Sequence, residues 1–163
     1  MTAAGRVVRW MATVAAGLAA ATANAAGWDL RPEACVAGAG AVQARIALLG
    51  VRSAKGDLVI TVYGDRPEDF LAKGTKLAKL RLVPHPGTVA GCLTLPKAGV
   101  FALTAFHDED GDGHLSRGFI GLPVEGYGFP HDPRLVFGPP AFEAVAIEFH
   151  PGITQVPMTI RYP

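Results

Sequence analysis

Apolar and polar residues alternate with a period of two over much of the chain after residue 41, a pattern typical of β-strands. One segment, Val100 to His107, is apolar on both of its alternating faces. It follows Gly99 and is succeeded by a group of acids. A segment with two apolar faces is expected to be buried on both, so we predict that it forms the central strand of the fold.

Six further segments with β-branched and apolar residues are predicted to be strands. They are Val42 to Leu49, Asp57 to Tyr63, Leu77 to Val83, Thr88 to Leu95, Phe142 to Phe149 and Gln155 to Tyr162. Ser53 to Gly56 has the composition of a hairpin turn, so we expect the first two of these strands to form a hairpin. Pro157 cannot donate to a ladder, which predicts that the last strand is an edge strand or contains a bulge.

The remaining segments are short or irregular. Asp65 to Gly74 predicts one short helix, because an acid at the cap is followed by an early proline and by a glutamate three residues on. Gly121 to Pro140 is dense in Gly, Pro and aromatic residues and is expected to pack across one end of the fold. About seven short strands separated by turns predict an all-β fold, an antiparallel β-sandwich with one short helix.

An acidic loop follows the central strand. Asp108, Asp110 and Asp112 stand at alternate positions and Gly113 comes next. Three carboxylates in so short a segment repel one another, whereas Ca²⁺ takes about 6–8 oxygen ligands and favours such an arrangement. The D-x-D-x-D-G pattern therefore predicts a calcium loop, and the alternative is a metal-free turn, since Asp and Gly form turns on their own.

The second half of this loop departs from an EF-hand. His114 would offer its backbone carbonyl and Ser116 its hydroxyl, but Phe119 stands where the bidentate glutamate belongs. The nearest substitute is Glu125, which the GLPVEG segment could bring back to the loop. The predicted ligand set is therefore Asp108, Asp110, Asp112, the His114 carbonyl, Ser116 and Glu125, with Ca²⁺ as the cofactor.

Three motifs occur in a fixed order: HDEDGDGHL, GFIGLPVEGYGF and GPPAFEAVAI. In these the chain resembles a family of secreted bacterial proteins known as domain of unknown function 2141, over about residues 42 to 162. The resemblance implies a small extracytoplasmic β-sandwich, prealbumin-like or immunoglobulin-like, and implies no activity. Where the family tends to have an acid after the leucine, this chain has Ser116, which removes one candidate ligand.

The N-terminal residues predict a signal peptide. Arg6 and Arg9 precede an Ala-rich apolar stretch that ends in the small-x-small sequence Ala23-Asn24-Ala25. The apolar stretch is shorter than the roughly 20 residues that a membrane-spanning helix needs. We therefore expect residues 1–25 to be removed and residues 26–163 to form one domain, exported to the periplasm, the outer surface or the medium.

Charge and cysteine content fit this expectation. The chain has 15 basic and 14 acidic residues, a balance that gives no reason to expect nucleic acid or an anionic membrane as a partner. Cys35 and Cys92 are the only cysteines, and an oxidising compartment favours a bridge between them. We predict a Cys35–Cys92 disulfide, with two buried free thiols as the alternative.

Two other groups of residues could carry a function. His107 and His114 with the loop acids could serve a small hydrolase or a carbohydrate-processing protein, although no HExxH motif or nucleophile elbow is present. A structural role is favoured for His107. The aromatic side chains beside Arg134 could form a ledge for a sugar or peptide, or cover the core; they are Tyr127, Phe129 and Phe137.

The sequence thus predicts an exported domain that is more readily explained without enzymatic activity. Its acidic loop would bind Ca²⁺, with a structural role or a role in binding an unknown protein or glycan partner. The alternative is the hydrolase or carbohydrate-processing protein described above.

Overall fold

The computed structural model describes residues 27–36, 38–135 and 138–163. The predicted signal peptide and Phe137 therefore lie outside the described residues. The described residues form nine strands, together with two single turns of 3-10 helix at Pro67–Asp69 and Phe142–Ala144. The strands are β1 (Asp29–Arg31), β2 (Val42–Val51), β3 (Asp57–Tyr63), β4 (Ala78–Leu82), β5 (Gly87–Leu95), β6 (Gly99–Asp108), β7 (Gly126–Gly128), β8 (Ala146–Phe149) and β9 (Gly152–Thr159).

The strands form two sheets that pack face to face, which confirms the predicted all-β sandwich. The first sheet has the order β1-β5-β2-β9 and the second has the order β4-β3-β6-β7, with β8 also paired to β6. Every described pair is antiparallel except β2 with β9, which run parallel. The prediction of a purely antiparallel sandwich is corrected in this one pair.

The core lies between the two sheets and consists of the inward residues of both. Its fully buried members include Ile46, Leu48, Leu58, Ile60 and Leu103. All residues of β6 from Phe101 onward are buried, so the predicted central strand is confirmed. β3 lies beside β6 and is also buried on both faces, whereas β2 alternates between buried and more exposed residues.

The outer face of the second sheet carries a smaller apolar cluster. Tyr63 and Phe142 are buried there, and Phe70 lies between them with ring centroids 5.4 and 6.2 Å away, respectively. Phe142 belongs to the 3-10 turn that covers this face, so the predicted strand from Phe142 to Phe149 begins only at Ala146. The predicted short helix is the single 3-10 turn at Pro67–Asp69, without a side-chain cap.

The predicted hairpin between the first two strands is wrong. β2 pairs with β5 and β9 in the first sheet, while β3 pairs with β4 and β6 in the second. Residues 52–56 therefore cross from one sheet to the other instead of reversing the chain within a sheet. The physical reason is that β3 has two apolar faces, and in the second sheet one face meets the core while Tyr63 on the other packs in the smaller apolar cluster.

Two predictions about the edges of the first sheet are confirmed. β9 with its Pro157 is an edge strand, so the missing N–H of proline removes no bond from a central ladder. Cys35 and Cys92 form a disulfide with a Cα–Cα distance of 5.0 Å, which ties the segment after β1 to β5.

No helix in the described part of the chain is long and apolar enough to cross a membrane.

Candidate metal centre

The acidic loop begins at the last residue of β6. Asp108 is fully buried and lies opposite Asp57 in the ladder with β3. Its Oδ2 accepts a hydrogen bond from the Gly113 N–H at 2.9 Å, which closes the loop onto the strand end. Gly56 lies against the Asp108 backbone so closely that an added Cβ would overlap the carbonyl oxygen, so this approach requires glycine.

Side chains of the loop then bond to its own backbone and to one another. Asp110 Oδ1 accepts from the Asp112 N–H at 3.1 Å, and Asp110 Oδ2 accepts from the Ser116 hydroxyl at 3.3 Å. Asp112 Oδ1 accepts from the His114 N–H at 2.6 Å. The loop is thus built from the local turns that Asp readily forms.

Residues 117–124 form a hairpin after the acidic loop, with a bridge between Arg117 and Pro123, and Glu125 follows this hairpin directly. Its Oε1 accepts from the Glu109 N–H at 2.8 Å and its Oε2 accepts from the Ser116 N–H at 2.9 Å. The side chain is buried, at 5% exposure. One carboxylate therefore holds both ends of the loop, and it stands where the sequence suggested a substitute for the missing glutamate.

Three of the predicted residues converge. Asp108, Asp110 and Glu125 each offer a carboxylate oxygen, and these oxygens lie within 4.8 Å of one another. Oxygens on opposite sides of one Ca²⁺ ion are separated by about twice the metal–oxygen distance, or roughly 4.6–5.2 Å, so the spacing fits a single ion. Asp112 lies outside this group, and Ser116 adjoins it through Asp110.

One oxygen of the group has no partner. Asp108 Oδ1 is buried and accepts no hydrogen bond within the structure. Buried polar atoms are nearly always bonded, and an ionised oxygen left without a partner is costly. Asp110, by contrast, is exposed, so the group is open to solvent on that side.

The nearest cationic side chains do not pair with these acids. Lys79 donates to the Gly113 carbonyl, and the described ion pairs include none between Lys79 and the loop carboxylates. Burial lowers the pKa of Lys79, and Lys76 and Arg81 lower it further, against the opposite pull of Asp108 and Asp112. The protein thus supplies some positive potential here without neutralising the group.

Glu109 has a structural role that the sequence analysis missed. It receives hydrogen bonds from the Arg52 guanidinium and, at 2.8 Å, from the Ser53 hydroxyl. The Arg52 bond lowers the pKa of Glu109 to about 2. Its carboxylate ties the loop to the crossing segment 52–56, and no spacing in the sequence predicts that contact.

The histidine next to this loop is closed off. His107 is fully buried, with Nδ1 2.6 Å from the Tyr162 hydroxyl and Nε2 2.8 Å from the Lys55 carbonyl. Because a carbonyl can only accept, Nε2 carries the proton and Nδ1 accepts from Tyr162. The Tyr162 oxygen in turn accepts from the Arg52 N–H at 3.1 Å. His114 is exposed, so the two histidines do not form a pair facing one cleft.

An open depression lies beside the acidic group. It has a volume of about 500 Å³ and is lined by the loop, the crossing segment and the hairpin stem. Its lining includes Asp110, Glu125, Ser116, Arg52 and Lys55. A hydrated cation could reach the carboxylates from this side.

The predicted aromatic ledge is only partly brought together. The rings of Tyr127 and Phe129 are neighbours, with centroids 6.1 Å apart. Phe129 packs against the smaller apolar cluster, as a residue that covers the core would. Arg134 is exposed and stacks on no ring within the described residues, and Phe137 is not described. Ligand binding at this ledge stays a prediction.

The fold and the site define a class: an all-β sandwich whose central strand ends in a buried acidic group. The chain belongs to the bacterial family described as "Uncharacterized protein conserved in bacteria (DUF2141)", whose sequence profile matches residues 46–157. The resemblance drawn from the three motifs is thereby confirmed. Neither a curated protein nor a solved structure matches the chain.

Proposed function

We propose that this protein is an exported, non-enzymatic β-sandwich domain that binds Ca²⁺ at the end of its central strand. Asp108, Asp110 and Glu125 supply the carboxylate ligands, and the Ser116 hydroxyl adjoins them. The bound ion orders the acidic loop and the hairpin that follows it.

The observation that carries this proposal is the unpartnered oxygen of Asp108. An acidic cluster alone is common on protein surfaces, but a fully buried carboxylate oxygen without a hydrogen bond is not. Leaving a buried acceptor unsatisfied costs about 1–3 kcal/mol, and more when the group is charged. A cation beside Asp110 and Glu125 would satisfy this oxygen and remove the repulsion among the three acids.

The donor set favours calcium over other metals. All candidate ligands are oxygens, which hard cations prefer, and no cysteine or histidine nitrogen joins the group among the described residues. A flexible loop with irregular geometry suits Ca²⁺ better than the strict octahedron of Mg²⁺. With only three carboxylates, we expect a dissociation constant on the order of 10⁻⁴–10⁻³ M, as in extracellular modules.

Export is supported by the disulfide and by the N-terminal pattern. A Cys35–Cys92 bridge persists in oxidising compartments and is uncommon in the bacterial cytosol. N-terminal sequencing of protein recovered from the periplasm or medium is expected to begin at Ala26. Recovered protein that still begins near Met1 would refute the predicted cleavage.

The calcium proposal is tested by thermal melts in EDTA and in Ca²⁺ raised to about 100 times the expected dissociation constant, on the order of 10–100 mM, with calorimetry to measure binding heat. Ca²⁺ at 100 times its dissociation constant should stabilise the protein by about 2.7 kcal/mol. Asp110→Asn should weaken binding, whereas Asp112→Asn removes the same charge from the same loop but lies outside the converging group.

The two loop variants also separate the structural ligand set from the one that the sequence predicts. Equal losses of Ca²⁺ affinity in the two variants would place Asp112 among the ligands. Identical wild-type melts in EDTA and Ca²⁺, with no binding heat, would show that the DEDGDG loop is only a turn.

The hydrolase alternative gains no support from the geometry of His107. Both of its ring nitrogens are occupied by Tyr162 and Lys55, so neither is available to a substrate or a zinc ion. A partner for the calcium module, whether protein or glycan, is not indicated by the acidic group itself.

A further inference from the structure

The segment after the acidic loop is a hairpin whose end carries four exposed apolar side chains. Its stem is held by a bond from the Val124 N–H to the Ser116 carbonyl at 3.0 Å and by a bridge between Arg117 and Pro123. Beyond the stem, the Gly118 N–H bonds to the Leu122 carbonyl at 2.8 Å. We call its exposed apolar residues the apolar tip: Phe119, Ile120, Leu122 and Val124.

The side chains of the apolar tip are much more exposed than is usual for large apolar residues. Phe119 is fully exposed, and Ile120, Leu122 and Val124 are 78%, 60% and 50% exposed. The other large exposed apolar residues of the described chain are spread over separate segments, at Val36, Leu49, Leu71, Leu77 and Val83. Single exposed apolar residues need no explanation, whereas four in six positions mark an interaction site.

The backbone of the hairpin is bonded internally on both sides of Phe119 and Ile120. The Gly121 N–H bonds to the Gly118 carbonyl at 2.9 Å, and the Gly121 carbonyl accepts from the Arg117 guanidinium at 2.8 Å. Pro123 has no N–H to satisfy. Backbone groups that enter the hydrocarbon core need internal bonds, and those of Phe119 and Ile120 have none within the hairpin. Insertion is therefore limited to the hydrated interfacial zone, where water and headgroups can bond these groups.

We propose that the apolar tip inserts into the interfacial region of a lipid bilayer. Exposed Phe, Ile and Leu side chains supply the apolar area, and Arg117 at the base of the tip is placed to remain among the headgroups. Removal of residues 1–25 would leave 13 basic and 14 acidic residues, so apolar insertion and not charge attraction drives the binding. Binding should therefore persist in high salt and on uncharged lipid.

The small size of the tip argues against a second copy of the chain as its occupant. A stable protein interface uses about 20–30 residues on each side, whereas the exposed tip has four. A bilayer requires no broad matching surface.

The tip and the proposed cation site share one element. Ser116 and Glu125 close the base of the hairpin, and Glu125 belongs to the acidic group. A cation there would hold the base in place, so insertion should strengthen in Ca²⁺. This Ca²⁺ dependence rests on the proposed function, whereas insertion itself does not.

The experiment measures binding of the purified protein to vesicles by flotation. One set contains phosphatidylethanolamine and phosphatidylglycerol and the other phosphatidylcholine alone, each in EDTA and in Ca²⁺, at low salt and at high salt. Phe119→Ser and Ile120→Ser together should reduce the partition coefficient about tenfold or more, because two large apolar side chains are lost. Val36→Ser is the matched control, since Val36 is 77% exposed and follows Cys35, away from the acidic loop.

A tryptophan reporter gives an independent reading. In Phe119→Trp the new indole is exposed, while the native Trp28 is buried. Its emission should shift to the blue on addition of vesicles, and brominated lipids should quench it. Absence of both effects would overturn the proposal even if the serine variants failed to fold.

The remaining outcomes are also decisive. Wild-type protein that does not float with vesicles, or that loses binding equally in Val36→Ser, overturns insertion. A wild-type dimer that the tip variants convert to monomer, without vesicle binding, assigns the tip to a second copy. Tip-dependent binding that is equal in EDTA and in Ca²⁺ supports insertion and shows that insertion does not depend on the cation. The thermal melts test the cation site independently.

Discussion

His107 and Asp108 are neighbours on β6 and are both fully buried, yet their surroundings differ completely. Both ring nitrogens of His107 are bonded, and the Tyr162 hydroxyl that contacts it also accepts from Arg52. Asp108 has one bonded oxygen and one oxygen without a partner, beside two further acids. The strand thus ends in one polar network whose polar atoms are all bonded within the protein and one in which a buried carboxylate oxygen has no partner among the described residues.

The difference shows how to separate a structural polar network from a binding site. Substitutions in the complete network should cost stability and leave Ca²⁺ dependence unchanged. Substitutions in the incomplete network should change Ca²⁺ dependence and cost little stability, or even increase it. The following predictions test this contrast in order of decreasing effect.

The largest effect is expected for His107→Ala. The substitution opens a cavity at a fully buried position and leaves Tyr162 and the Lys55 carbonyl without their partner. We expect a loss of about 3 kcal/mol in the free energy of unfolding, equal in EDTA and in Ca²⁺. Urea denaturation measures it, and a loss seen only in Ca²⁺ would place His107 in the metal site.

The next largest effect is expected at Asp108, where a substitution should increase the stability in EDTA instead of lowering it. Asp108→Asn removes a buried charge, keeps an oxygen for the Gly113 N–H and gives the acids a donor. In EDTA we expect the variant to be about 1 kcal/mol more stable than the wild type, and in Ca²⁺ to lack the wild-type stabilisation. A variant that is less stable in EDTA and still responds to Ca²⁺ would show that Asp108 belongs to a complete network.

A smaller effect is expected for Tyr162→Phe. The ring remains, but the hydrogen bond to His107 and the one from the Arg52 N–H are lost. About 1 kcal/mol of stability should be lost, with no change in the melting shift that Ca²⁺ produces. A changed shift would mean that the two networks are coupled through β6.

The smallest effect concerns pH. The pKa of Glu109 is lowered from 4.5 to about 2 in the folded protein, chiefly by the hydrogen bond from Arg52. Its contribution to stability is therefore complete above pH 4.5 and is lost as the pH falls toward 2. Urea midpoints between pH 6 and pH 3 should fall less steeply for Glu109→Gln than for the wild type. Glu148→Gln, an exposed acid on β8, controls for the loss of one charge, and equal slopes in all three proteins would contradict the assignment.

The sequence predicted those parts of the fold that depend on local pattern. The central strand was recognisable because both of its faces are apolar. Pro157 predicted an edge strand or a bulge, and β9 is an edge strand. The pairing of β2 with β3 was predicted wrongly, since the composition of residues 53–56 does not say whether a turn connects two strands of one sheet or crosses to the other sheet. β7 was missed because Gly-Tyr-Gly has no apolar alternation. It pairs closely with the second sheet because its glycines fit against β9, where a Cβ at Gly128 would lie 2.6 Å from the Thr159 carbonyl oxygen.

In the candidate site, too, the residues that depend on local spacing were predictable and those that depend on the whole fold were not. Asp108 and Asp110 follow from the spacing of the loop, and Glu125 from the lack of a glutamate at the expected position. The exclusion of Asp112 from the group, the role of Glu109 and the unpartnered Asp108 oxygen depend on residues brought together by the whole fold. No local pattern encodes contacts between the crossing segment and the acidic loop.

The parallel pairing of β2 with β9 has a consequence for how the chain reaches its native state. One side of β2 pairs with β9, which is far away in the sequence. Until the chain has closed the long loop between them, β2 is itself the edge strand of the first sheet. Closing long loops before contacts form slows folding, and sandwiches dominated by distant pairings fold in milliseconds to seconds, far more slowly than helical domains. During that interval the apolar side of β2 and its unpaired edge would be exposed together, which makes β2 the segment where aggregation of the nascent protein would begin.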